Sequence, residues 1–102
     1  MKWGRQKREP VTVTREITIL NKFGMHARPA AEFARRANSF RSEICLIANG
    51  ERFAATSLID IMRASLGMGA TATIEAHGTD AEEAVAAMTK LLEELQVQEA
   101  GG

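Results

Sequence analysis

At residues 44–55 the sequence reads ICLIANGERFAA, in which an Asn-Gly dipeptide separates two runs typical of β-strands. Asn-Gly readily supplies the two left-handed backbone conformations that a tight type I′ turn requires, so it is a strong signal for a β-hairpin. The run from Ile44 to Ala48 is apolar and partly β-branched, and the second run extends to Ala55. We therefore predict two antiparallel strands here, with Cys45 as a small residue of the sheet.

Strands and helices alternate on either side of this hairpin. Upstream, alternating residues from Thr14 to Leu20 indicate a strand, and apolar residues at i, i+3, i+4 and i+7 between Ala30 and Ala37 indicate an amphipathic helix. Downstream, alternation over residues 70–76 indicates a further strand. Two helices complete the pattern, one beginning at Ser57 and one after residues 79–82.

Both downstream helices begin with the residues of a capping box. In this motif a Ser or Thr hydroxyl accepts a hydrogen bond from the backbone N–H three residues on, and an acidic side chain there reaches back. Ser57 and Asp60 have this spacing, and so do Thr79 and Glu82. The last helix should bury an apolar stripe and fray from Gln96 onward.

The element order β-α-β-β-α-β-α predicts one sheet with all helices on one face. A chain of 102 residues is long enough for one domain of ordinary size. Pro10 marks a boundary, and we expect a flexible basic arm over residues 1–12, the folded domain over 13–96 and a frayed tail over 97–102.

Composition excludes several classes of protein. Thirteen basic residues balance thirteen acidic ones, and this neutrality argues against a nucleic-acid partner. The single cysteine, Cys45, cannot form an internal disulfide, and no motif resembles a zinc site. No apolar run approaches the roughly 20 residues of a membrane span, so we expect no membrane insertion. Residues 1–10 are basic but lack the apolar stretch of a signal peptide, so we expect a cytoplasmic protein.

One segment, Gly24 to Ala30, contains more than the start of a helix requires. His26 lies where the helix begins, and Pro29 lies in the first turn, where its missing N–H is harmless. The positive end of the helix dipole disfavours an imidazolium and keeps a neutral, nucleophilic ring available. A phosphoryl group on that ring would lie over the backbone N–H groups of Ala27 and Arg28, and the Arg28 guanidinium could pair with it. On these residues alone, an exposed helix cap beside a surface charge is an equally good interpretation.

The surrounding sequence is more specific. Residues 21–31, NKFGMHARPAA, resemble the active-site segment of the HPr family, the histidine-containing phosphocarriers of the bacterial phosphoenolpyruvate:sugar phosphotransferase system. The resemblance extends from Glu16 to Leu95 and includes TSLIDIM at 56–62 and GMG at 67–69. It implies an open-faced β-sandwich of the α+β class, in which three helices cover one face of a four-stranded antiparallel sheet.

The resemblance also implies roles for individual residues. His26 matches the family's phosphorylated histidine, which uses ring Nδ1, and Arg28 matches the arginine that attends the phosphoryl group. Enzyme I would supply the phosphoryl group from phosphoenolpyruvate, and an enzyme IIA-type protein would receive it for sugar uptake. The family implies a monomeric carrier that needs no cofactor and is a component of a phosphotransferase system rather than a stand-alone enzyme.

Ser57 matches the family's regulatory serine, on which a serine kinase or phosphorylase acts in some bacteria. Added negative charge there would hinder partners, among them a transcriptional regulator, that dock on the apolar residues nearby. These docking candidates are Leu58, Ile59 and Met62. A plain helix N-cap explains the serine equally well. Thr56 and Met68 stand where the family often has lysine, and both remove positive charge beside this surface.

Two other functions stay open. The first is an HPr-like regulatory module, in a nitrogen-type phosphotransferase branch or in catabolite control, that acts by phosphorylation-dependent docking. The second is nucleic-acid binding through residues 1–10, which an aromatic content of only 5% disfavours. We interpret His77 as structural or exposed. Without acidic or thiolate partners, His26 and His77 make a poor metal site, so no metal is expected.

Overall fold

The seven predicted elements form in the predicted order. A computed structural model describes residues 9–101, and all strand pairs of its single sheet are antiparallel, in the order β1-β4-β2-β3. Together with the three helices, this sheet confirms the predicted α+β fold, an open-faced β-sandwich. The elements are β1 (Val11–Thr18), α1 (Ala27–Ala37), β2 (Glu43–Ala48), β3 (Glu51–Ala54), α2 (Leu58–Arg63), β4 (Thr71–Gly78) and α3 (Ala81–Gly101).

The central hairpin forms as the Asn-Gly dipeptide predicts. Asn49 and Gly50 both adopt positive φ, 53° and 77°, as a type I′ turn requires. Ala48 pairs directly with Glu51 across the turn, which fixes the register of β2 against β3. The turn therefore determines which residues of both strands face the helices.

The hydrophobic core lies between the sheet and the helices. Apolar residues at alternate positions of the strands point into it, and the stripes predicted for α1 and α3 are buried throughout. Burial of each large apolar side chain contributes about 1.5–3 kcal/mol, far more than helix propensity does per residue. The buried stripes are Ala30, Phe33, Ala34 and Ala37 in α1 and Ala84, Val85, Met88, Leu91, Leu92 and Leu95 in α3.

The first strand begins earlier than the alternation predicts. Val11 pairs with Gly78 and Thr12 with His77, so both belong to the sheet and not to the arm expected over residues 1–12. The pairing extends β1 along the whole of β4, whose far end would otherwise present unpaired backbone groups. Residues 9 and 10 of the predicted arm precede β1, and residues 1–8 lie outside the described residues.

The last helix continues further than predicted. α3 is helical to Gly101, whereas fraying was expected from Gln96. Leu95 is buried, and the Gln96 Nε2 donates a hydrogen bond to the backbone oxygen of Thr18 at 3.5 Å, so the helix packs on the domain beyond the predicted end. The residues that follow are mostly good helix formers, and nothing in the sequence stops the helix before the glycines at the end.

The first predicted capping box forms only in part. The Ser57 hydroxyl accepts a hydrogen bond from the Asp60 N–H at 3.1 Å, as predicted. The Asp60 carboxylate does not reach back to Ser57 but accepts from the Ala54 N–H at 2.9 Å, and this hydrogen bond is the main reason that the pKa of Asp60 lies below its ordinary value. The side chain thus ties α2 to the end of β3.

The second predicted capping box does not form. α3 begins at Ala81, so Asp80 and not Thr79 precedes the helix. The Asp80 carboxylate accepts hydrogen bonds from the Arg41 N–H at 2.8 Å and from the N–H and hydroxyl of Ser42. The Ser42 side-chain hydrogen bond, above all, lowers the pKa of Asp80. Asp80 therefore anchors α3 to the loop between α1 and β2.

Asp80→Ala should lower the free energy of unfolding at pH 7 by roughly 1–3 kcal/mol, because the N–H of the buried Ser42 loses its acceptor. The pKa of Asp80 is lower in the folded state than in the unfolded state, so the stabilisation is complete above about pH 4 and is lost as pH falls through the folded value. Urea unfolding should show that the difference in free energy of unfolding between this variant and the wild type is smaller at pH 3 than at pH 7. Glu82→Ala is the control. A difference between Asp80→Ala and the wild type that does not change with pH would contradict this role of the carboxylate.

Candidate functional site

The loop before α1 is fixed against the segment that follows α2. Within the loop, the Gly24 N–H donates to the Asn21 oxygen at 2.9 Å and closes a turn. The next N–H, that of the buried Met25, donates to the Leu66 oxygen at 2.8 Å. These bonds fix the backbone immediately before His26, so the start of α1 depends on the position of residues 66–67.

Gly24 is required where these two segments meet. Its φ is +67°, a left-handed conformation that glycine adopts without strain. A Cβ on Gly24 would lie 2.5 Å from the Leu66 oxygen and 2.7 Å from the Gly67 Cα. Both neighbours are backbone atoms that cannot move independently, so the loop can approach residues 66–67 only through a glycine.

His26 is the N-cap residue of α1, but its imidazole does not cap the helix. The backbone is extended there (φ −75°, ψ −177°), the side chain makes no capping hydrogen bond, and the His26 oxygen accepts from the Ala30 N–H at 3.0 Å. Pro29 contributes no N–H to the first turn, so the donors at the helix end are those of Ala27 and Arg28. His26 therefore caps α1 through its backbone, and its ring makes no capping hydrogen bond.

The half-buried His26 ring lines an open cleft of about 440 Å³. The Phe23 ring meets it edge to face, with centroids 6.1 Å apart and planes at 87°. The exposed Arg28 lines the same cleft, so the structure brings together the two side chains singled out in the sequence. The lining residues are Asn21, Phe23, His26, Arg28, Pro29, Glu32, Leu95 and Gln98.

Three of these lining residues lie outside the segment 21–31 that the sequence singled out. Glu32 is spaced i, i+4 from Arg28, and this spacing is the one signal that could have placed it near the site. Asn21 sits in the loop, whereas Leu95 and Gln98 come from the end of α3, which no local pattern connects with the start of α1. The cleft is thus assembled from the two ends of the domain sequence.

The residues around the cleft favour an anion. The first turn of α1 contains no acidic residue. Glu32 carries the one carboxylate among the lining residues, and it pairs with the Arg35 guanidinium at 3.2 Å. The Lys22 amine lies 5.7 Å from the centre of the Phe23 ring. An anion at this helix end therefore meets the helix N–H groups and the Arg28 guanidinium.

Ser57 and the predicted docking residues do not line this cleft. Ser57 is partly exposed at the start of α2, and the apolar side chains of Leu58, Ile59 and Met62 are 39, 69 and 41% exposed. The Asn38 amide, at the end of α1, donates both to Ala34 O at 2.8 Å and to Thr56 O at 3.0 Å. These hydrogen bonds tie the far end of α1 to the residue preceding Ser57.

The opposite face of the sheet carries a second polar cluster. The Arg52 guanidinium donates to the Glu75 carboxylate and to the Cys45 sulfur, the latter at 3.2 Å. Burial raises the pKa of the Cys45 thiol, and the nearby Glu75 adds to the effect. The His77 Nδ1 lies 2.7 Å from the Thr12 hydroxyl. The Arg52–Glu75 ion pair thus spans from β3 to β4 across β2, and the contact of His77 joins β4 to β1. The raised pKa of the thiol opposes a nucleophilic role for Cys45.

Neither a metal site nor a membrane span is found in the part of the chain that the structure describes. No three His, Cys, Asp or Glu side chains within residues 9–101 are grouped so that they could hold a metal ion. None of the described helices is both long enough and apolar enough to cross a membrane.

Comparison with known proteins finds matches over most of the chain. The family model described as "PTS HPr component phosphorylation site" matches residues 13–94. Phosphocarrier protein HPr of Cupriavidus necator is 37% identical over 78 residues, which are 76% of this chain and 88% of that protein. HPr-like protein Crh of Halalkalibacterium halodurans is 36% identical over 81 residues, 79% of this chain and 96% of that protein.

A solved structure agrees with the fold as well. The crystal structure of a phosphocarrier protein HPr from Bacillus anthracis superimposes with a TM-score of 0.75 at 36% identity, covering 78% of this chain and 95% of that chain. The fold and the family match thus define a small phosphoryl-carrier domain. The chain belongs to the HPr family of phosphocarriers of the phosphotransferase system.

Gly24→Ala should lower the free energy of unfolding by roughly 2–5 kcal/mol, because it combines a left-handed residue with a backbone clash. Gly69→Ala is the matched control, since Gly69 has φ +88° but no atom within 4 Å of an added Cβ. The control should lose only about 1–2 kcal/mol. Urea unfolding measures both, and equal losses would show that the contact with residues 66–67 contributes nothing.

Proposed function

We propose that His26 is the phosphoryl acceptor in a relay that begins with phosphoenolpyruvate. Phosphorylated enzyme I donates the group to His26, and an enzyme IIA-type protein receives it for sugar uptake. The observation that carries the proposal is the position of the His26 ring, which lines an open cleft beside Arg28 without capping α1. We assign the relay to the cytoplasm and the carrier to the monomeric state that the family resemblance implies.

For the transfer, the carrier must position the imidazole of His26 and place positive charge beside the phosphoryl group. The lone pair on Nδ1 of His26 forms a P–N bond while the donor's bond to phosphorus breaks, and the donor group leaves with that electron pair. The proton on Nε2 stays, so the product is a phosphorylated imidazolium. Arg28 pairs with the phosphoryl oxygens, and the N–H groups of Ala27 and Arg28 donate to them. Onward transfer reverses these steps on the second partner.

An open cleft suits a carrier better than a closed one. The donor and the acceptor must each reach the phosphorus in line with the bond that breaks. His26 is half-buried and Arg28 is exposed, so both partner proteins have access to the reacting atoms. The limited burial also keeps the phosphohistidine from being held so tightly that it cannot be passed on.

Both partners need a surface on which to dock, and we infer that α2 supplies it. Leu58, Ile59 and Met62 are apolar yet exposed, and exposed apolar patches mark interaction sites. The hydrogen bonds of Asn38 connect the start of α2 with α1, the helix that presents His26. A partner seated on α2 therefore rests on the elements that position the acceptor ring.

We infer further that phosphorylation of Ser57 by a serine kinase weakens this docking and that a phosphorylase reverses it. Ser57 is partly exposed and immediately precedes the docking residues. A phosphate would add a charge of about −2 beside Leu58 and Ile59. Asp60, whose pKa is lowered by its hydrogen bond from Ala54, is ionised at neutral pH and increases the negative charge.

A second function, an HPr-like regulatory module, is supported by one feature of the docking surface. Thr56 and the 65%-exposed Met68 provide no positive charge beside α2, where the family often has lysine. A partner that reads the state of His26 or Ser57, such as a transcriptional regulator, would then replace the sugar-specific acceptor. Phosphoryl transfer onward to a purified enzyme IIA-type protein distinguishes the two functions, because a purely regulatory module would not support it.

His26→Ala should abolish phosphorylation by enzyme I and phosphoenolpyruvate, because it removes the nucleophile. Intact-mass measurement should find one acid-labile phosphoryl group on the wild type and none on the variant. His77→Ala is the matched control, because His77 is the other histidine of the chain, and it should be phosphorylated like the wild type. A phosphoryl group retained by His26→Ala would contradict the proposed acceptor.

Ser57→Asp should slow phosphorylation by a subsaturating concentration of enzyme I about tenfold, because it places charge beside the docking residues. Ser57→Ala should stay within about twofold of the wild-type rate, although the lost N-cap lowers the free energy of unfolding by about 1 kcal/mol. Ser39→Asp introduces the same charge at an exposed serine after α1 and serves as the control. Equal slowing by the two Asp variants would argue against a specific effect of Ser57.

A further inference from the structure

Asn21 is a buried polar residue without a complete set of partners. Its side chain is 2% exposed, and its Oδ1 is, within the described residues, the one buried side-chain oxygen or nitrogen that no hydrogen bond reaches. Its backbone oxygen accepts from Gly24, which fixes the residue in the turn that leads to His26. Buried acceptors are rarely left without a donor, so the Oδ1 calls for a specific explanation.

The position of Asn21 indicates which group could donate a hydrogen bond to its Oδ1. Asn21 lines the cleft that holds His26 and Arg28. Two other lining residues carry side-chain acceptors: Glu32 already pairs with Arg35 at 3.2 Å, and Gln98 lies on the exposed end of α3. Asn21 is thus the buried acceptor in the wall of the cleft, and an acceptor oxygen there repels phosphoryl oxygens but attracts an N–H group.

We propose that Asn21 is a positioning residue for the carrier chemistry, in which its Oδ1 accepts a hydrogen bond from Nε2–H of His26. A neutral imidazole has one proton, and placing it on Nε2 leaves the lone pair on Nδ1. The torsion that turns the ring is soft, so the ring can adjust its orientation within the open cleft. The inference rests on the proposed function, in which Nδ1 is the acceptor atom.

Phosphorylation strengthens the same contact. When Nδ1 gains the phosphoryl group, the ring carries a positive charge and Nε2–H becomes a charge-assisted donor. The neutral amide oxygen of Asn21 can accept this hydrogen bond without adding negative charge beside the phosphate. The phosphoryl group then faces Arg28 and the helix N–H groups on one side of the ring, and the Oδ1 of Asn21 accepts the hydrogen bond from Nε2–H on the other side.

The test compares Asn21→Leu, which removes the acceptor at similar size, with Asn21→Asp, which retains an oxygen at the same position. Long-range ¹H–¹⁵N spectra of the unphosphorylated proteins, labelled with ¹⁵N-histidine, report the tautomer of His26. We expect Nε2–H to predominate in the wild type and Asn21→Asp, and a mixture of tautomers in Asn21→Leu. Phosphorylation of Asn21→Leu by enzyme I should be about threefold to tenfold slower than that of the wild type.

A second measurement covers the case in which Asn21→Leu does not fold. If Asn21→Leu fails to fold, the phosphorylated wild type is examined directly, and its Nε2 proton should be protected from exchange with solvent. An unchanged tautomer and rate in a folded Asn21→Leu, or rapid exchange of that proton in the wild type, would overturn the role of Asn21. Failure of the wild type to accept a phosphoryl group would instead overturn the proposed function, so the two failures are distinct.

Discussion

The hydrogen bond from the Met25 N–H to the Leu66 oxygen is the constraint on which the rest of the site depends. It requires the loop before α1 to lie against residues 66–67, and Gly24 makes that approach possible. Nearby, the Ile19 N–H donates to Ala70 O and the Gly69 N–H donates to Ile19 O, so the end of β1 is tied to the start of β4. Residues 66–70 therefore fix both the end of β1 and the backbone immediately before His26.

In the proposed relay, the start of α1 has both a structural and a chemical role. The helix needs a residue with extended backbone at its N-cap, and His26 provides it while its ring lines the cleft. The helix N–H groups and Arg28 make the same place favourable for an anion. A small domain can hold a phosphoryl group in this way without a deep pocket, because the binding groups belong to one helix end whose position the core already fixes.

Local patterns predicted what local interactions determine. The hairpin at Asn49-Gly50, the apolar stripes and the order of the elements follow from backbone preferences and periodicity, and all are present. Asp60 shows the limit, because its capping-box spacing with Ser57 was visible but its carboxylate accepts from the Ala54 N–H instead of reaching back to Ser57. Similarly, the sequence indicated His26 and Arg28, whereas Leu95 and Gln98 join the cleft only through packing between distant segments. Such contacts depend on the folded arrangement and leave no periodic signal.

The most direct test of the central claim is to locate the phosphorus atom on the carrier. The protein, labelled with ¹⁵N-histidine, is phosphorylated by phosphoenolpyruvate and enzyme I, and the ³¹P–¹⁵N coupling is measured by nuclear magnetic resonance. We expect a single coupling to Nδ1 of His26. Coupling to Nε2 of His26, coupling to His77, or a phosphorus without a nitrogen neighbour would contradict the account.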